Sequence, residues 1–175
     1  MNRFSLNPLF SKFLIVIFIL TICWMVFMRY ETMPLTSEEI VRFEFAGNPE
    51  NVKAILGEWD NKEWIPLAKH SIYLDFIFIF LYTSTLALGC LTFPSLTERL
   101  HLMTWGLKLY RFSLYAGLAD FLENSCLLEI LYGSQWAFFS GAAWAFAFVK
   151  FSIIVVVLLF LIRCIIQWVV SRSNA

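Results

Sequence analysis

Charge is scarce in this sequence. Only 15% of its 175 residues are Asp, Glu, Lys or Arg, while 60% are hydrophobic; a soluble domain runs at about a quarter charged and about half apolar. That shortage excludes water as the main solvent. Basic clusters are also missing, since Lys and Arg never gather beyond Lys108 and Arg111, which excludes a nucleic-acid footprint. Cys23, Cys90, Cys126 and Cys164 all lie in apolar runs, with no CxxC pair and no Cys/His spacing. A metal centre is therefore not expected, and the cysteines read as small apolar fillers. The polar stretch 29–69 has no cysteine at all, so no disulfide staples it. No fingerprint for a cofactor or a reaction is present, and no catalytic residue is assigned.

What is abundant is hydrophobic sequence in long runs, about 20 residues of which cross the hydrocarbon core as a helix. The expected fold is all-α: one integral membrane domain over 1–175, a four-transmembrane-helix bundle with spans at about 10–28, 71–93, 109–131 and 136–162. The first run follows Arg3 and Lys12, as a signal peptide does, but Arg29-Tyr30-Glu31-Thr32-Met33-Pro34 offers no small-x-small cleavage site. It reads as an uncleaved signal anchor. Leu20-Thr21-Ile22-Cys23 resembles a lipobox, with Ile22 where a small residue is needed, so a plain span is favoured over lipidation. Arg3 and Lys12, then Arg99, Lys108 and Arg111, then Arg163 and Arg172 fall on one side. The positive-inside rule makes that side cytoplasmic, with both termini inside, as in the plasma (inner) membrane of a bacterium. Trp136 and Trp168 suit interfacial anchoring.

Residues 29–69, with eight acids and five bases, form a short helical extracytoplasmic loop in this reading. Thr36-Ser37-Glu38-Glu39 fits a capping box opening a helix that carries Ile40, Val41 and Phe43 and ends at Gly47. Asn48-Pro49-Glu50 repeats the start signal, with Asn48 as N-cap and Pro49 at N1, ahead of an apolar stripe of Val52, Ile55, Leu56 and Trp59. Two amphipathic helices are expected on the bundle or in the interface.

The informative residues are the ionisable ones at membrane depth: Asp75, Asp120, Glu123, Lys150 and, nearer an edge, Glu129. A charge there costs several kcal/mol unless it faces the bundle interior and finds a partner. At about 1.5 Å per residue, Glu123 lies roughly 18 Å above Arg111 and Lys150 roughly 20 Å above Arg163, at matching depth on antiparallel neighbours. Asp120, Glu123 and Asn124 share a polar face toward Lys150, while Tyr82, seven positions from Asp75, reaches the depth of Asp120. The candidate ligand-binding set is Asp75, Tyr82, Asp120, Glu123, Asn124 and Lys150. Ser113, Ala116 and Gly117 on the third span, and Ser140, Gly141, Ala143 and Ala147 on the fourth, would permit close helix approach. His70 and His101 read as interfacial and loop residues before they read as acids, bases or ligands.

Three classes of function stay open. A site that binds or converts a lipid-like or small hydrophobic molecule, open to the outer side, would need a cavity between the second, third and fourth spans, lined by Asp75, Tyr82, Asp120, Glu123 and Lys150. Interhelical glue in a structural or assembly protein would show direct carboxylate contacts to Lys150 and no void. An ion or proton conduit would need polarity continuing to the inner face, where little beyond Ser113 is present. The partners expected are the lipid bilayer and a lipid-like ligand, with a homo-oligomer left open.

A short tail, one span, a helical loop of about forty residues and three further spans resemble the layout of the EXPERA family, which includes the sigma-2 receptor and sterol isomerases. Trp59 and the aromatic approach from Trp64 to Asp75 carry the likeness. The resemblance implies that Asp75 and Glu123 line a pocket for a hydrophobic amine or sterol-like ligand. Leu74-Asp75 and Asp120-x-x-Glu123-Asn124 also look like elements of small uncharacterised bacterial membrane proteins, a likeness that implies no chemistry.

Overall fold

A computed structural model describes residues 8–97, 99–134 and 136–173. Arg3, used above for orientation, and the side chain of the proposed anchor Trp136 lie outside the described residues. The described chain is all-helical: α1 (Pro8–Glu31), α2 (Ser37–Glu44), α3 (Pro49–Asn61), α4 (Ile65–Leu96), α5 (Leu100–Leu131) and α6 (Trp136–Ser173).

Three of these helices are long and apolar enough to cross a membrane: α1 over Phe10–Glu31, α4 over Ile65–Leu96 and α6 over Ala137–Ser173. α5 matches α4 in length at 32 residues, but Lys108, Arg111, Asp120, Glu123 and Glu129 keep it from qualifying by composition. The helices also run past the apolar segments. Nothing between Leu100 and Leu109 breaks α5, Pro94 is absorbed in the last turn of α4, and α6 continues through Arg163 to Ser173.

The polar stretch folds through the local signals its residues carry. Thr36 caps α2 by accepting from the Glu39 amide at 3.2 Å, and the Thr36 amide donates back to Glu39 Oε2 at 3.2 Å, closing the capping box. Gly47 turns the chain at φ +70°, a left-handed conformation that costs glycine little. Asn48 Oδ1 then accepts from the Asn51 amide at 2.9 Å to start α3.

These two helices lie on the bundle. Leu35, Phe43, Val52, Ile55 and Trp59 are buried with Ala68 and Ile72 of α4, Leu127 and Ile130 of α5 and Ala143 of α6 in one apolar cluster. Truncating an anchor such as Trp59, 1% exposed, would cost about 3–5 kcal/mol. The exposed Arg42–Glu58 pair, 2.8 Å apart, pulls the Glu58 carboxyl below its ordinary range through its hydrogen bond with Arg42, and contributes little to stability.

A second apolar cluster, Leu86, Cys90, Leu109, Val157 and Leu161, holds α4, α5 and α6 together farther from α2 and α3. These three helices form a mutually packed core, whereas α1 packs on α4 and makes no extensive contact with α6 among the described residues. Its seam with α4 includes the Thr21–Thr85 hydroxyl pair at 2.9 Å and the Trp24 indole N–H donating to Leu74 O at 3.1 Å.

Close approach of α4 and α5 depends on two glycines. A Cβ on Gly106 would collide with the Cys90 carbonyl oxygen and the Pro94 ring, and one on Gly117 with the Thr83 hydroxyl. Gly141 on α6 has open space instead. Gly106→Ala should therefore lower stability by about 1–3 kcal/mol through overpacking, while Gly141→Ala should be neutral or stabilising by up to about 1 kcal/mol. Thermal unfolding of both variants in detergent checks the contrast.

Candidate functional site

Between the two apolar clusters lies a layer of buried polar side chains centred on Lys150 of α6, itself 5% exposed. Its ammonium donates to Asp120 Oδ1 at 2.8 Å and to Glu123 Oε1 at 3.0 Å, both on α5. The other Glu123 oxygen is also 3.0 Å away but lies outside hydrogen-bond alignment. Asp120 and Glu123 are three residues apart, so one helix face presents both acids. Tyr82 of α4 donates its hydroxyl to Asp120 Oδ2 at 2.7 Å, which satisfies the second oxygen of that carboxylate.

The third acid at Lys150 comes from outside the long helices. Glu44, the last residue of α2, places Oε1 3.4 Å from the Lys150 nitrogen and is only 7% exposed. Burial pushes the Glu44 carboxyl above its ordinary range, against the opposing pull of Lys150. Its second oxygen, Oε2, is buried without a hydrogen-bond partner. The candidate set read from sequence did not contain Glu44, counted there among the acids of a polar loop. A signal was available: Glu44 is four residues from Ile40 and adjacent to Phe43, so it falls on the apolar side of α2.

Asp75 and Asn124 form a neighbouring pair, with Asn124 Nδ2 donating to Asp75 Oδ2 at 2.7 Å. Asn124 thus turns toward α4 and not toward Lys150. The six candidates divide into a Lys150–Asp120–Glu123–Tyr82 cluster and an Asp75–Asn124 pair. Glu129 lies at the surface, where Ser134 donates to it at 2.6 Å. His70 is exposed, 3.8 Å from Glu31, and His101 is exposed as well. Among the described residues no group of His, Cys, Asp and Glu is arranged to hold a metal ion.

A cavity of about 520 Å³ adjoins this layer, within the size range of small-molecule sites. It lies between α1, α2 and α4, with Asn124 contributed by α5, and not between α4, α5 and α6 where sequence reasoning put it. Met25, Met28, Ile40, Ile72 and Phe78 supply apolar wall; Glu44, Asp75 and Asn124 supply polar groups, and Arg29, Thr36 and Ser37 line it as well. Tyr82, Asp120, Glu123 and Lys150 stay behind that wall, packed among themselves.

Three acids, Glu44, Asp120 and Glu123, therefore converge on one buried ammonium, with the Asp75–Asn124 pair beside them. A buried acid without a partner keeps its proton or requires a cation. No known protein family, curated protein or solved structure matches the chain, so the chemistry of the site rests on this geometry.

Removing the ammonium would leave the facing acids uncompensated. Lys150→Met should destabilise the fold by about 3–5 kcal/mol, and Glu123→Gln in the same chain should recover part of that loss. Unfolding midpoints of the single and double variants measure both effects.

Proposed function

We propose that this chain is a four-span protein of the plasma membrane of a bacterium, and that it binds a small, lipid-like molecule carrying a basic or hydrogen-bond-donating group. The observation that carries the binding reading is the cavity beside α2, which the buried Glu44 and the carboxylate of Asp75 line. An apolar wall with a few convergent polar groups is the usual composition of a ligand pocket. An excess of acid over base in that layer favours a ligand that brings positive charge or donors. A hydrophobic amine, as the resemblance to the EXPERA layout implies, meets that requirement. No residue is assigned a catalytic role.

In this reading α5 is the fourth span. Its 32 residues reach about 48 Å, it packs between α4 and α6, and its mid-helix acids are covered by Lys150 and Tyr82. α1 serves as an uncleaved signal anchor. Lys12, Arg99, Lys108, Arg111, Arg163 and Arg172 share the end away from α2 and α3, which supports cytoplasmic termini and an outer α2–α3 segment. Phosphatase fused within residues 45–48 should be active and a fluorescent protein at the same point dark; the reverse pattern would overturn this orientation.

Interhelical glue is the second reading, and the three carboxylates within 3.4 Å of Lys150 are what it requires. The adjoining cavity is what it does not require. A proton or ion conduit ranks third, because below Asp120 the buried polar groups continue only as hydroxyls such as Thr83, Thr92 and Ser113.

Mass spectrometry of small molecules co-purifying in mild detergent separates binding from glue. One species should be enriched with the wild-type protein and should fall at least tenfold with Asp75→Asn, a variant that leaves the Lys150 contacts in place. If nothing specific co-purifies, or if the species is unchanged by Asp75→Asn, the cavity is not the binding site.

A further inference from the structure

The cavity is polarised along its length, and that polarity narrows the ligand class. At one end stand Glu44, 7% exposed with Oε2 unpartnered, and Asp75, one of whose oxygens is taken by Asn124. At the other stands Arg29, beside the Thr36 and Ser37 hydroxyls at the start of α2. One guanidinium N–H donates to Leu35 O at 2.7 Å, which leaves further donors of the five that Arg carries. The seven-position step along α2 from Ser37 to Glu44 separates the two ends by about 10 Å. A ligand filling the length of the cavity thus meets acid at one end and a guanidinium at the other. Among the described residues the flank has no wall from α6, because none of α6 lines the cavity and α1 makes no extensive contact with α6.

We infer that the cavity takes the headgroup of an ethanolamine-type phospholipid, its ammonium at Glu44 and Asp75, its phosphate toward Arg29, and its acyl chains leaving between α1 and α6 into the bilayer. This deepens the binding proposed above and rests on it. A primary ammonium has three N–H donors, and the second oxygen of Asp75, with Glu44 beside it on the cavity wall, offers acceptors for them. A choline headgroup has no such donor and is recognised through aromatic cages, whereas Phe78 is the one aromatic residue lining this cavity. A glycerol headgroup brings no positive charge to the acids. Entry from the bilayer keeps the chains in hydrocarbon, so only the headgroup exchanges its surroundings.

The test uses the purified full chain in detergent, titrated separately with phosphatidylethanolamine, phosphatidylcholine, phosphatidylglycerol and dodecylamine, with bound adducts counted by native mass spectrometry. Phosphatidylethanolamine should be retained at least tenfold more strongly than either other phospholipid. Arg29→Gln should weaken phosphatidylethanolamine about tenfold and leave dodecylamine unchanged, while Arg29→Lys should restore most of the loss. Glu44→Gln should weaken both. Equal retention of the three phospholipids overturns the inference in the wild-type protein alone, whatever the variants do. Indifference of phosphatidylethanolamine to Arg29→Gln overturns it as well. If dodecylamine binds and is lost in Glu44→Gln while phosphatidylethanolamine does not compete, the lipid inference falls and the cavity reading stands. If neither probe binds, both fall.

Discussion

The ammonium of Lys150 is the point on which the rest of the molecule depends. It sits on α6, takes two carboxylates from α5 and a third from α2, and through Asp120 reaches Tyr82 on α4. Without it, Asp120 and Glu123 would be buried with no cation beside them, and α5 would be a costly helix to pack between two apolar ones. Buried ion pairs often contribute little net stability over an apolar core of equal shape, because desolvation offsets the Coulomb attraction. The value of this cluster lies in what it specifies. Sliding α5 along α6 by one turn would move both acids about 5 Å from the ammonium, so the pairing fixes the register of the core.

The same pairing explains why a polar segment between two apolar helices is tightly folded. α2 and α3 bring Phe43, Val52, Ile55 and Trp59 onto the ends of α4, α5 and α6, and Glu44 extends that apolar contact with an ionic one. A segment attached only by apolar area could settle in several positions. One attached also by a buried carboxylate 3.4 Å from a buried ammonium has one. The cavity is a consequence: α2 is drawn toward α6 by Glu44, while α1 packs on α4, and the space between α1 and α2 is left unfilled.

Much of this was legible before any coordinates. Thr36, Glu39, Asn48 and Pro49 are local signals that act within a few residues, and α2 and α3 start where those signals stand. The depth match of Asp120 and Glu123 with Lys150 followed from helical rise alone, because both helices run unbroken between basic residues at one end. Asn124 and Glu44 were harder for one reason. Their partners depend on how elements far apart in sequence are rotated and tilted, which periodicity within a single element does not encode. Asn124 lies on the same helix face as Asp120, yet a modest rotation points it at Asp75 instead of Lys150. Glu44 was hidden by its neighbours, since in a stretch with eight acids a single buried one looks like the others. Only its place beside Phe43 and one turn after Ile40 set it apart.

Glu44 also decides how the structural and ligand-binding readings relate. They are usually set against each other, glue requiring satisfied charges and a site requiring unsatisfied ones. Here one residue belongs to both: Glu44 Oε1 joins the Lys150 cluster, and Glu44 also lines the cavity. A ligand cation beside Glu44 would draw negative charge away from Lys150, which still retains Asp120 and Glu123 at 2.8 and 3.0 Å. The three-acid arrangement therefore tolerates partial withdrawal of one acid in a way that a simple ion pair would not. That redundancy gives the third acid a physical rationale that glue alone does not supply, because a single carboxylate would already have neutralised the ammonium.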